Sequence, residues 1–84
     1  HMGDGTERDA AAASISRSAM DDFSAQSHER AAAAQKEGRL EVEISPVPIP
    51  QRGGEPLLID ADEGIRPGTS ASSLGNLRAA FATD

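Results

Sequence analysis

The sequence contains no cysteine. No disulfide can staple it, no thiolate can hold a metal, and no thiol nucleophile is present. It is also poor in large apolar side chains. Leu, Ile, Val and Phe are 14 of its 84 residues, which lies under the rough 20% line below which a charged chain tends towards disorder. Alanine supplies 15 of its 31 apolar residues. Bases are scarce as well: 8 Lys and Arg stand against 14 acids, for a net charge of -6. That balance argues against DNA, RNA or an anionic membrane as the main partner. No apolar run approaches the ~20 residues of a membrane span, and no signal peptide is read at the N-terminus. An intracellular, cytoplasmic setting is the expectation. Length and composition together imply at most one small domain, either marginal or borrowing a core from something larger.

The sites of catalysis that a short sequence can advertise are missing too. His1 and His28 have no matching serine or acid arrangement. Two histidines without cysteine make a poor metal site. Asp60, Asp62 and Glu63 lack the 12-residue loop pattern of a calcium site. Gly53 and Gly54 lack the Gly-Lys-Ser/Thr and following helix of a phosphate loop. Neither a catalytic residue nor a metal ligand is expected within this chain. His28 sits mid-helix beside Glu29 and Arg30, where a solvent-facing or partly packed role suffices.

What is present reads as an α+β pattern of two or three helices and a hairpin. Thr6-Glu7-Arg8-Asp9 resembles a helix start, with Thr6 as N-cap and Asp9 reaching back, over about 6–14. Ser16 is a second N-cap, with Ile15 and Met20 at the spacing of a hydrophobic staple and Asp21 and Asp22 near the positive helix end. That helix should run over about 17–37, with Gly38 as its left-handed C-terminal residue. Its narrow stripe of Met20, Phe23, Ser27, Ala31 and Ala34 is made mostly of small residues, suited to packing flat against something larger.

Leu40-Glu41-Val42-Glu43-Ile44 alternates and predicts a half-buried strand. Pro46, Pro48 and Pro50 then remove amide donors from one side, which marks an edge strand or arm. Gln51 to Glu55 supplies turn glycines, and Pro56 to Ile59 returns, giving a hairpin over about 40–59. A short helix capped near Ser72 or Ser73 could carry Leu74, Leu77 and Phe81 on one face, over about 74–81.

Between hairpin and last helix lies Asp60-Ala-Asp-Glu-Gly-Ile-Arg-Pro-Gly-Thr69, a turn region spanning 60–73. Three acids and a glycine precede a single Arg66 held between Ile65 and Pro67. One reading is a surface arginine paired with Asp62 or Glu63, worth little energetically. The other is recognition of an anion, since a planar fork of donors suits phosphate.

The order of segments resembles the thiolases, the acetyl-CoA acetyltransferases and 3-ketoacyl-CoA thiolases. The residues that carry the likeness are Asp22-Phe23-Ser24, Gly38-Arg39-Leu40, Glu43-Ile44-Ser45-Pro46-Val47, Asp62-Glu63-Gly64-Ile65-Arg66 and Leu74 to Phe81, with His1-Met2-Gly3 at the start. Arg8, Ala19, Ser24 and Ala79 depart from residues common in that family. The resemblance implies the loop domain inserted in the N-terminal α/β half of a thiolase, a segment that covers the active site and binds coenzyme A. It implies a parent acyltransferase performing Claisen condensation or thiolytic cleavage, homo-oligomeric as a dimer or tetramer. The catalytic cysteine and histidine would lie in its remaining halves, and this chain alone would be inactive. Coenzyme A thioester enters as substrate, and no further cofactor is implied. By the same resemblance Arg66 contacts the adenine and phosphate end of coenzyme A, Ser73 contacts the ligand, and Met2 lines the acyl and pantetheine pocket with His1 as its neighbour. The plainer alternatives are a simple N-cap for Ser73 and a cloning remnant for His1-Met2. A stand-alone acidic interaction module or a partly disordered segment is the alternative for the whole chain.

Overall fold

A computed structural model describes residues 1–82. It contains three helices and a two-stranded antiparallel hairpin, an α+β arrangement. α1 spans Met2–Ala12 and α2 spans Arg17–Lys36. A 3-10 turn, Glu41–Glu43, precedes strands β1 (Val47–Gln51) and β2 (Gly54–Ile59), and α3 is Ala71–Gly75.

The first helix starts earlier than the expected Thr6. His1 is the N-cap, its Nδ1 accepting from the Gly3 amide at 3.1 Å. Thr6 lies inside the helix and its hydroxyl donates to the Met2 carbonyl at 3.0 Å, the backward bond that serine and threonine make when no free amide is in reach. The second helix follows expectation closely. Ser16 Oγ accepts from the Ala19 amide at 3.1 Å, and Gly38 takes φ +77° just past the C-cap, a conformation glycine adopts without a Cβ penalty. With alanine at N3 the cap has no reciprocal partner, and Ser18 Oγ meets Ser16 Oγ instead. Asp21 lies beyond the first turn and pairs with Arg17.

The expected strand over Leu40–Ile44 is not formed, so the hairpin runs over 47–59 rather than 40–59. Glu43 donates to Leu40 O and Ile44 to Glu41 O, closing tight turns. Leu40 and Ile44 are half-buried while Val42 is 89% exposed. Leu40 and Ile44 flank this turn, and among the described residues no strand lies beside it to receive the alternation.

β1 and β2 pair with Val47 opposite Ile59, Pro48 opposite Leu58 and Ile49 opposite Leu57, and a bulge lies between Ile49 and Gln51. Arg52 and Gly53 make the turn, Gly53 at φ +78°. α3 is capped by Ser70 rather than Ser72 or Ser73 and ends at Gly75, so Leu77 and Phe81 lie beyond the helix instead of along its face.

Among the described residues none is fully buried. The radius of gyration is 17.7 Å and the longest extent 53 Å, against about 12 Å for a compact domain of this length. The accessible surface of 7121 Å² exceeds the roughly 4,700 Å² of a compact monomer of this mass. Composition anticipated this: too few large apolar side chains exist to close a core. No helix is long and apolar enough to cross a membrane among the described residues.

Candidate functional site

The 60–77 stretch has little regular structure of its own, yet it is fixed at three points, all on α2. Gln35 Nε2 donates to the Asp62 carbonyl at 3.3 Å. His28 Nδ1 accepts from the Arg66 amide at 3.2 Å. Arg17 Nη2 donates to the carbonyls of Leu74 at 2.7 Å and Leu77 at 3.0 Å. Arg17, His28 and Gln35 are 11 and 7 residues apart, which places them within about 20° of one another around a helix and spreads them over roughly 27 Å of its length. The segment therefore runs antiparallel to α2 along a polar rail.

Asp21 joins this rail one turn from Arg17. Its carboxylate accepts from Arg17 Nε with both oxygens at 3.0 Å, holding the guanidinium so that Nη2 faces the end of α3. Asp21 also closes on Gly75, where an added Cβ would meet Asp21 Oδ2 at 3.9 Å. The half-buried residues of α2 are Met20, Asp21, Ala25, His28, Ala31, Ala32, Ala34 and Gln35. Of the apolar stripe read from sequence, Met20, Ala31 and Ala34 lie on this half-buried side, and Ser27 is exposed. Phe23, which belonged to that stripe, is 74% exposed.

Arg66 sits at the centre of the rail's span. Its amide is held by His28, and its carbonyl accepts from the Thr69 hydroxyl at 2.7 Å. Its guanidinium has no ion pair or hydrogen bond among the described residues. Asp62, one of the two acids expected to neutralise it, turns its Oδ1 to the Gly64 amide at 2.7 Å. Backbone fixed and head unpaired is an arrangement that presents a cationic fork to an anion.

Ser73 occupies the third position of α3. Its hydroxyl accepts from the Ser70 amide at 3.0 Å and donates to the Ser70 carbonyl at 2.9 Å, while Ser70 Oγ accepts from the Ser73 amide. This is a complete capping box, and one hydroxyl lone pair remains for a ligand. The segment brings Arg66 and Ser73 onto one track.

His1 and Met2 lie at the start of α1. The His1 ring stacks on Phe81 with centroids 4.9 Å apart and planes at 29°, and Gly3 is close enough that a Cβ there would stand 2.2 Å from the Phe81 ring. Met2 is 86% exposed. No hydrogen bond ties His1 or Met2 to Arg66 or Ser73 among the described residues. A groove lined by Ile15, Met20, Leu74 and Leu77, with a volume of about 480 Å³, separates α1 from α2 and α3.

Sequence reasoning missed the rail. The signal lay in the spacing of Arg17, His28 and Gln35, but polar residues were assigned to solvent by default. It also passed over His1 as a cap, because histidine is an uncommon one.

The sequence matches the family model described as the thiolase N-terminal domain across residues 1–84. An acetyl-CoA acetyltransferase of Chromobacterium violaceum is 52% identical over the whole chain, and one of Allochromatium vinosum is 49% identical over the same 84 residues. An acetyl-CoA acetyltransferase of Thiocystis violacea is 51% identical over 81 residues, 96% of the chain. In each case the chain spans about a fifth of the relative's length, 21%. With its whole length matched in this way, the chain belongs to the thiolase family.

Proposed function

We propose that this chain works within a thiolase acyltransferase as the segment that covers the active site and holds coenzyme A, corresponding to the inserted loop domain of the N-terminal half. The reaction it serves is acyl transfer between coenzyme A thioesters, in the sense of condensation or of thiolytic cleavage. This chain supplies no thiol nucleophile, because it has no cysteine. Its contribution is positional. Coenzyme A is long, flexible and anionic, and fixing its far end brings the thioester to bear on groups elsewhere in the enzyme. The stand-alone acidic module receives no support from the comparisons.

The observation that carries this reading is the pinned backbone of Arg66 and its guanidinium, unpaired among the described residues. Arg66 binds the adenine and phosphate end, Ser73 offers its remaining lone pair, and Met2 with His1 lines the pantetheine side. The open surface fits the same role. It exceeds that of a compact monomer by roughly 2,400 Å², an area in the range of permanent interfaces. We read it as surface to be covered by the remaining catalytic halves, in an enzyme that is itself a dimer or tetramer.

The test uses a full-length acetyl-CoA acetyltransferase in which these 84 residues replace the matching stretch. Arg66→Gln should weaken coenzyme A binding by about tenfold, the value of one charge-assisted contact at a partly exposed site. Binding of a pantetheine thioester, which lacks the nucleotide, should not change. Equal losses for both ligands, or no loss for coenzyme A, would remove Arg66 from the nucleotide end.

A further inference from the structure

We propose that His28 is a positioning residue for the coenzyme A site, acting through the Arg66 backbone. The inference rests on the ligand role given to Arg66 above. Three observations carry it. First, His28 is the only side chain among the described residues whose bond reaches the Arg66 amide, and it comes from a different element, 38 positions away in sequence. Second, the bond closes a clamp. The Arg66 carbonyl is taken by the Thr69 hydroxyl at 2.7 Å on one side, and the amide by His28 Nδ1 at 3.2 Å on the other. Third, the neighbouring residues leave the guanidinium alone. Asp62 is occupied by the Gly64 amide, and its own carbonyl is held by Gln35.

The physical consequence concerns preorganisation. An arginine on an untethered loop spreads its fork over many positions and must be ordered when the anion arrives. An arginine whose peptide is held at both ends has less to lose. His28 supplies the long-range half of that restraint, since Thr69 lies in the same turn and moves with it. The contact also has a defined chemistry. Nδ1 accepts, so the ring proton resides on Nε2. The acceptor atom is bonded directly to Cγ. Asparagine places its carbonyl oxygen on Cγ as well and reproduces the acceptor, whereas glutamine moves it one bond further out.

The experiment measures the coenzyme A dissociation constant in the same full-length graft for His28→Ala, His28→Asn and His28→Gln, each with Arg66 intact and with Arg66→Gln. His28→Ala should weaken binding about threefold to tenfold, the span of one net hydrogen bond. His28→Asn should restore most of it and His28→Gln should not. On the Arg66→Gln background His28→Ala should add nothing, because the restraint acts only through that side chain. Rescue by asparagine rules out a fold-wide loss. If Arg66→Gln weakens binding and His28→Ala leaves it within twofold of the parent, His28 is not a positioning residue while the ligand role of Arg66 stands. If His28→Ala weakens binding equally with or without Arg66, or if alanine and asparagine are alike, the inference also fails. If Arg66→Gln itself has no effect, the ligand reading falls and takes this one with it.

Discussion

Arg17 is the strongest grip on the 60–77 segment, and its removal should loosen α3 from α2. The guanidinium makes two kinds of contact. Its ion pair with Asp21 is an i,i+4 helix pair at 3.0 Å, of a kind worth about 0.3–0.5 kcal/mol. Its two bonds to the carbonyls of Leu74 and Leu77 are short and charge-assisted, at 2.7 and 3.0 Å. Such bonds contribute about 1.5–3 kcal/mol each when shielded. The arginine side chain is 42% exposed, so solvent screening brings each to about half of that. The ion pair lies within α2 and persists when α3 leaves, so the two carbonyl bonds alone set docking, at about 2 kcal/mol or a factor of about 30 in that equilibrium. Arg17→Ala should therefore speed hydrogen exchange at the Leu74 amide, which donates to Ser70 O at 3.0 Å, by about 30-fold. Arg17→Lys keeps the charge but not the fork, reaches one carbonyl at a time, and should fall about midway. An exchange rate for Arg17→Ala within twofold of the parent would refute the idea that Arg17 docks α3.

Two further predictions concern the ends of helices. Gly3 and Gly5 both lie within α1, yet a Cβ at Gly5 meets nothing within 4 Å while one at Gly3 meets the Phe81 ring. Gly5→Ala should raise α1 stability by about 0.5–1 kcal/mol. Gly3→Ala should give none of this gain, and NMR should show Phe81 displaced from His1; equal stabilisation by both would refute the contact. In α3, Ser70→Ala should cost about 1 kcal/mol and Ser73→Ala about half as much, read from the carbon shifts of Ala71–Gly75. Identical effects would mean that the two hydroxyls do not divide their labour as described.

Much of the fold was legible in the chain wherever a local rule decides it. Ser16 and Gly38 bound α2 as their chemistry requires, and the Arg52-Gly53 turn falls where a left-handed residue was available. The failures share a cause. Leu40, Val42 and Ile44 alternate like a strand, but alternation states only which side chains prefer burial, and a strand needs a partner ladder to realise it. Thr6 had the right chemistry for a cap but lost to His1, which reached the first free amide. The candidate site was half readable. Arg66 stands out from its neighbours in sequence, but only one of the side chains that hold it, Thr69, lies nearby, and the other, His28, is 38 positions away. A search for apolar periodicity cannot find a helix face whose adhesion is polar.

The rail grips only main-chain atoms: the carbonyls of Asp62, Leu74 and Leu77, and the amide of Arg66. Every peptide unit offers the same groups whatever its side chain. The track is consequently indifferent to the identity of most residues that travel it and sensitive to their number. Side chains between 62 and 77 can be exchanged for others that suit a different ligand while the path stays put. One residue inserted between Arg66 and Leu74 would shift the segment out of step with α2, so variation along this stretch is free in composition and confined in length.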